Sequence, residues 1–568
     1  MRNVGLKLST SIAILVMAAS CGGEDSPAPS MTAIPSAQGN DLNPTPREIL
    51  QNGGTFTWPL SAMPSNFNYW EIDGSEYGTD NVISALMPFT HRTTANALPE
   101  WSREYLASAP ELVVEPQQVV IYRINPEAAW YDGTPITWED FHWHWYATSG
   151  QDSAYRIAAS NGYEQIESVE RGADDREVIV TFASPFAAWQ NLFTPMYPAS
   201  TTRDPEAFNN GWRNAPQTTA GPFKLEGIDQ TSKTITLIRN ETWWGPAPIL
   251  DRIVYRVIVP DAQVDALANG EIDAMDIGAD ANRYSRAVRL DGIDIRSAGG
   301  PNFRHITVNG SSPKLSDVRV RQALAMAIDR SVLARALIEP LGIEPVTLGN
   351  HIFMANQYGY QDNSGDVGSY DSGRAAEILD GLGWRINGEF RSRNGETLEL
   401  SFVIPAGIAG ARQEGELIQN MFGQIGVRLN ILTVPTDDFF SQYIIPGEYD
   451  FTVFTWVGDP YPLASIKSIY AEPVVGPDGE FDIQQNFARV GSPELNAKMD
   501  EAMAEFDRDR AAILANEADA MIWELVHSLT VYQRPELIAT RENLANFGAF
   551  AFSRPWAYED IGWIQDSE

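Results

Sequence analysis

From about residue 54 onward, apolar and polar positions alternate in short runs that predict β-strands. "TFTWPL", "QVVIYRI", "EVIVTF", "TITLIRN" and "RIVYRVIV" are rich in Val, Ile, Thr and aromatic residues and are bounded by turn residues. The period then lengthens. In "LSDVRVRQALAMAIDRSVLARAL", Val320, Leu324, Ala327, Ile328 and Leu337 recur at helical spacing, with Ser316 placed to cap the start. "YDSGRAAEILDGLGW" opens on a capping candidate, Asp371, and closes on Gly383, a natural left-handed residue past a helix end. Between Pro493 and His527, the residues Leu495, Met499, Met503 and Phe506 form one stripe, read as core packing. Strands and helices intermingle with no repeat of fixed period, which predicts an α/β chain with more than one lobe.

The N-terminus has a different pattern. Ile12 to Ala19 is uninterruptedly apolar after Arg2 and Lys7, far shorter than the roughly 20 residues that cross a bilayer. It fits a secretory signal peptide over residues 1–20, with small Ala18 and Ser20 at the cleavage positions. Cys21, the only cysteine, follows at once. This arrangement resembles a bacterial lipobox, with Ala18 where leucine is usual, and implies lipidation at Cys21. An ordinary cleaved signal is the alternative. Residues 21–53 are rich in Pro, Ser, Ala and Gly and read as the lipidated cysteine followed by a flexible linker. A single cysteine excludes a disulfide within the chain, and a chain of 568 residues is long enough to rely on core burial instead.

A formal net charge of −35 argues against nucleic acid or an anionic membrane surface as partner. Motifs for catalysis are nearly absent. The six histidines, His91, His142, His144, His305, His351 and His527, include no pair at i, i+4 and no H-E-x-x-H. His142 and His144 point different ways on a helix and are expected as partly exposed aromatics. There is no G-x-S-x-G and no Walker A sequence. "SSPK" (residues 311–314) matches S-x-x-K only in form, because Pro313 disfavours the helical turn and no K-T-G follows. The chain is expected not to be an enzyme and to need no cofactor or metal.

Several segments, in order, resemble extracellular solute-binding proteins of the peptide-binding family (family 5) that serve ABC transporters, of an actinobacterial type. They are "INPEAAWYDGTPITWEDFHWHWY", "TAGPFKLEGIDQTSKTITLIRNETWWGPAPILDRIVYRVI", "LSDVRVRQALAMAIDRSVL", "AAEILDGLGW" and "LIQNMFGQIGVRLNI". Each also has a local reading: Asp132-Gly133-Thr134-Pro135 is a turn tetrad followed by Thr137 as a helix N-cap. The resemblance implies a bilobed periplasmic-binding-protein fold with an extra domain inserted in the first lobe. Lobe I would comprise residues 54–88, 200–302 and 528–568, the insertion 89–199, and lobe II 303–527.

The resemblance also implies the site. In "YDFTVFTWVGDPYPLASIKSIY" a strand delivers Trp456, Gly458 and Asp459 at its end, where α/β sheets place ligands. Asp459 matches the aspartate of W-x-x-D that anchors a peptide's α-amino group in relatives, with Trp456 and Tyr461 as flat apolar walls. Further candidates are Trp58 in the first strand and Asn302, Phe303 and Arg304 near the hinge. Arg304 would face either a ligand carboxylate or one of the chain's many acids. Asn350 and Phe353 belong to a loop that often lines the cleft in relatives. The implied protein is a monomeric, exported, lipid-anchored receptor on the outer face of the cytoplasmic membrane, handing a small peptide to an ABC permease. The alternative is a glycolipid-binding or regulatory protein of lipoglycan biosynthesis on the same scaffold.

Overall fold

The computed structural model describes residues 39–160, 162–475 and 481–565, so the signal peptide and Cys21 lie outside the described residues. Two long strands, Ile293–Val308 and Ser528–Arg541, form the spine of the molecule. They pair antiparallel from Ile293 opposite Arg541 to Thr307 opposite Ser528, and the register breaks between Gly299 and Phe303. On one side of that break Ala298 and Ile538 belong to a core built on Phe56, Ile83, Tyr122, Phe223 and Ile253. On the other, Ile306, Val308, Leu529 and Val531 belong to a core built on Leu324, Leu333, Phe402, Phe422 and Phe451. Leu537 and Ala539, on the first side of the break, join that second core as well, so the strand pair is shared by both cores, and the fold is the bilobed α/β architecture that the sequence implied.

In the first lobe, a four-stranded sheet has the order Thr55–Leu60, Arg252–Val257, Thr234–Arg239, Phe223–Asp229. Its first pair is parallel, with Thr55 opposite Arg252 and Leu60 opposite Val257. A second antiparallel sheet is formed by Glu111–Val113, Val119–Arg123, Glu177–Phe182 and Ile166–Arg171. Helix Trp138–Thr148 begins beside it, where Asp140 accepts from the Thr137 backbone N–H at 2.8 Å. Val120, Tyr122, Val178, Val180 and Phe141 join the same core as Phe56 and Ile253, so this sheet has no separate interior. In the second lobe, Phe451–Trp456, Glu399–Pro405 and Arg428–Val434 extend the six-stranded sheet outward from Ile293–Val308.

Local sequence sets most helix ends. Asp371 accepts from the Arg374 N–H at 2.7 Å, and Gly383 adopts φ 85° one residue past the C-cap. The long helix expected after Ser316 is instead two, Val318–Met326 and Arg330–Ile338. Each is capped by an aspartate, Asp317 and Asp329. The Ser316 hydroxyl donates to the Pro313 carbonyl at 3.2 Å and is not the cap. His144 also departs from expectation, being fully buried. Its Nδ1 accepts from the Tyr197 N–H at 3.3 Å, which leaves Nε2 to donate to the Tyr163 hydroxyl at 3.2 Å. Burial lowers its pKa to about 3, so it is a neutral packing element.

The expected linker ends sooner than residue 53. Asp41 bridges Ala549, Leu50 pairs with Ile564 and Gln51 with Trp563. Leu50 is buried, so a segment polar in composition is held as an edge strand by the C-terminal chain. Leu50→Ala is accordingly expected to cost about 2–5 kcal/mol of unfolding free energy in a denaturant titration. An unchanged midpoint would show that residues before Gly54 are dispensable to the fold.

Candidate functional site

The strand Phe451–Trp456 ends beside the register break in the long strand pair, and the chain then turns sharply. A Cβ at Gly458 would sit 2.0 Å from the Pro301 carbonyl oxygen, so only glycine lets this turn approach the crossing strand. The next residue, Asp459, opens into a cavity lined by Phe303, His351, Gln357, Trp456, Gly458 and Tyr470, among others. Its carboxylate accepts from the Tyr461 N–H at 2.6 Å, and its carbonyl accepts from Gln357 Nε2 at 3.0 Å. Burial raises the Asp459 pKa, opposed only by that backbone N–H. Among the described residues no guanidinium or ammonium pairs with its carboxylate. A positively charged ligand group would gain a charge-assisted bond there.

The other expected residues divide. Tyr461 lies beside Asp459, and its hydroxyl pKa is pushed far up by burial and then by that carboxylate. Phe303 lines the cavity and packs with Leu348, Met354 and Phe552. Asn302 has a buried side-chain oxygen with no hydrogen bond. Trp456 reaches the cavity, but His305 lies 5.7 Å away at 12° and Phe487 5.8 Å away at 6°. Its flat surface is largely committed to packing, contrary to its expected role as an open wall.

Four expected contacts are structural instead. Arg304 grips Glu414, with Nε at 3.0 and 3.1 Å from the two carboxylate oxygens and Nη2 on the second. Glu414 is completely buried, and Arg304 is 12 % exposed, so of the two partners foreseen for Arg304 it takes an acid of its own chain. Asn350 donates to the Gln361 carbonyl and to Asn516 Oδ1, while its own oxygen accepts from the Ile352 and Phe353 N–H groups. That exhausts the amide. Phe353 packs with Ile352, Tyr470, Leu495 and Ile522 in a satellite core. Trp58 is buried against Phe547 at 5.1 Å and Trp556 at 6.2 Å.

Sequence reasoning missed the residues that approach from elsewhere in the chain. His351 lines the cavity with Nδ1 2.8 Å from Asp519 and Nε2 3.1 Å from the Ser528 carbonyl. On the first-lobe side, the Tyr69 hydroxyl pKa is raised by burial and then by the charges of Asp80 and Asp459. Asp80 pairs with Arg554 at 3.4 Å. The only available signal was an acid, Asp80, inside the otherwise apolar and small run around "DNVISALM". The lobes also touch outside the site: the Tyr358 N–H donates to the Asn96 carbonyl at 3.1 Å, and Ala97 packs beside Phe303, Met354 and Phe552.

With this geometry in hand, comparison with known proteins is informative. Residues 104–472 match the family model for bacterial extracellular solute-binding proteins, family 5 Middle. The chain is 41% identical over 530 residues to the oligopeptide-binding protein OppA of Mycobacterium tuberculosis (strain ATCC 25618 / H37Rv), covering 93% of this chain and 87% of that one. A shorter match, 31% identical over 217 residues, is to the probable monoacyl phosphatidylinositol tetramannoside-binding protein LpqW of the same strain. It covers 38% of this chain and 34% of LpqW. Among solved structures, the periplasmic EDTA-binding protein EppA superposes with a TM-score of 0.82 at 25% identity, over 94% of this chain and 100% of that one.

Glu414→Ala removes the partner of a buried guanidinium and is expected to cost about 3–5 kcal/mol of stability by denaturant titration. A variant as stable as the parent would mean that Arg304 finds its partner elsewhere.

Proposed function

The chain belongs to the bacterial extracellular solute-binding proteins of family 5, and on that premise we propose that its cleft captures a short peptide by the α-amino end. The observation that carries this reading is Asp459, a cavity-lining carboxylate with a raised pKa that pairs with no cation among the described residues. A peptide ammonium supplies that cation. Identity of 41% to a protein named for oligopeptide binding, over nearly the whole chain, supports the same ligand class. The partial match to LpqW favours the glycolipid reading, but over little more than a third of the chain. A polyanionic chelate like the one in EppA's name would meet Asp459 unfavourably.

In this reading no bond is made or broken. Ligand binding shifts the population from open to closed about the break at Gly299–Phe303. Turning a 1:99 mixture into 99:1 requires about 5.5 kcal/mol of preference for the closed form, within reach of main-chain hydrogen bonds and one anchored terminus. On this reading the lobes follow the division 54–88, 200–302 and 528–568, carrying the 89–199 insertion, against 303–527, with Leu529 and Val531 of the crossing strand packed into the second core. The protein is exported, acts as a monomer, is tethered through a lipidated Cys21, and delivers its ligand to an ABC permease. Among the described residues no helix is long and apolar enough to cross a membrane.

The test is calorimetric. An unmodified alanine pentapeptide should bind roughly ten- to hundredfold more tightly than its N-acetylated form, the range of a charge-assisted hydrogen bond. Asp459→Asn should erase most of that difference. Equal binding of the two peptides to the parent protein would refute amino-end capture.

A further inference from the structure

The cavity that Asp459 lines is small. Its volume is about 40 Å³, whereas a cavity that holds a benzene ring measures about 150 Å³. Its residues all fall between Phe303 and Tyr470, so one side of the cleft supplies the whole lining. The apolar part of that lining is held from behind. Ile352, Ile466 and Tyr470 are buried in a satellite core with Leu495, Met499 and Ile522. Phe303 and Met354 are buried with Leu348 and Phe552. Side chains packed in this way do not give up room without cost.

The polar side chains of the wall are largely engaged within the protein. Gln357 Oε1 accepts from the Met354 N–H at 2.8 Å while its Nε2 donates to the Asp459 carbonyl, which ties the Asp459 turn to the Met354 loop. His351 has its two ring nitrogens on Asp519 and on the Ser528 carbonyl. The Tyr470 hydroxyl donates to the His351 carbonyl at 3.1 Å. Among the described residues that line the cavity, Asp459 is the only carboxylate and none is lysine or arginine. A group entering beside Asp459 therefore meets one anion and a wall that is otherwise mainly apolar.

In a peptide the α-ammonium and the first side chain hang from one Cα, so seating the ammonium on Asp459 brings that side chain against the same walls. We propose that this cavity receives the first side chain of the bound peptide and admits only a small apolar one, of methyl to ethyl size. The inference deepens the reading of amino-end capture and rests on it. A larger aliphatic or aromatic group must displace core side chains, as overpacking does. A carboxylate side chain would meet the charge of Asp459 with no cation to pair with. The limit applies to one position, because later residues of the peptide lie outside this cavity.

The experiment is calorimetry on the full chain with alanine pentapeptides whose first residue is alanine, 2-aminobutyrate, leucine or phenylalanine. A control peptide carries phenylalanine in third place. Alanine and 2-aminobutyrate in first place should bind alike, and phenylalanine there roughly ten- to hundredfold more weakly. Phenylalanine in third place should cost far less. Met354→Ala and Ile469→Ala each take three heavy atoms from the wall, and the alanine-to-phenylalanine ratio should fall in both, with folding checked by thermal melting. Equal binding of the two in the parent overturns the inference, as does a ratio that neither substitution moves. If neither variant folds, the parent series decides alone. N-acetylated peptides separate this claim from the one beneath it. Free peptides that outbind acetylated ones without any size limit leave amino-end capture standing and overturn the small pocket. A first-position limit with no effect of acetylation upholds the pocket and overturns capture by Asp459. No binding of any pentapeptide overturns both.

Discussion

The pairing of Ile293–Val308 with Ser528–Arg541 is the constraint on which the rest of the molecule depends. A continuous antiparallel ladder through both cores would make the two lobes one rigid sheet. The break between Gly299 and Phe303 interrupts it where Pro301 meets Gly458. Backbone there is freed from ladder hydrogen bonds, which makes it the place where the strand pair bends most readily. The same break admits the end of the Phe451–Trp456 strand, which is why Asp459 sits beside the crossing strands and not on an outer rim.

Electrostatics then gives the cleft its character. The net charge of −35 is spread over an excess of acidic residues along the chain. What distinguishes Asp459 is that its carboxylate accepts from a backbone N–H and pairs with no cation among the described residues, whereas Glu414 in the second lobe is fully paired with Arg304. On the proposed reading, a cationic ligand group would remove the cost of that unpaired carboxylate. Closure concentrates that effect, because excluding water strengthens each remaining charge interaction. In the proposed function, selectivity for charge and closure on ligand would be two consequences of one arrangement.

Much of this was legible in the sequence where the determinants are local. Asp371, Thr137 and Gly383 announced their roles because a cap or a left-handed residue needs only its neighbours. The strand "EVIVTF" was found to the residue at Glu177–Phe182. Trp456, Gly458 and Asp459 lie together because they are one strand end. Pairings across the chain were not legible: 474 residues separate Asp80 from Arg554, and 110 separate Arg304 from Glu414. Asn350 looked available because nothing in the sequence shows that its amide is spent on Gln361, Asn516 and its own loop. The segment 39–53 was misread for the same reason, its polar composition hiding strand partners at the far end of the chain.

The most direct measurement is to purify the full chain from its natural membranes, denature it, and identify by mass spectrometry the small molecules it releases. The account predicts short peptides of mixed sequence with free amino ends. A glycolipid, an oligosaccharide or a metal chelate as the released species would contradict it.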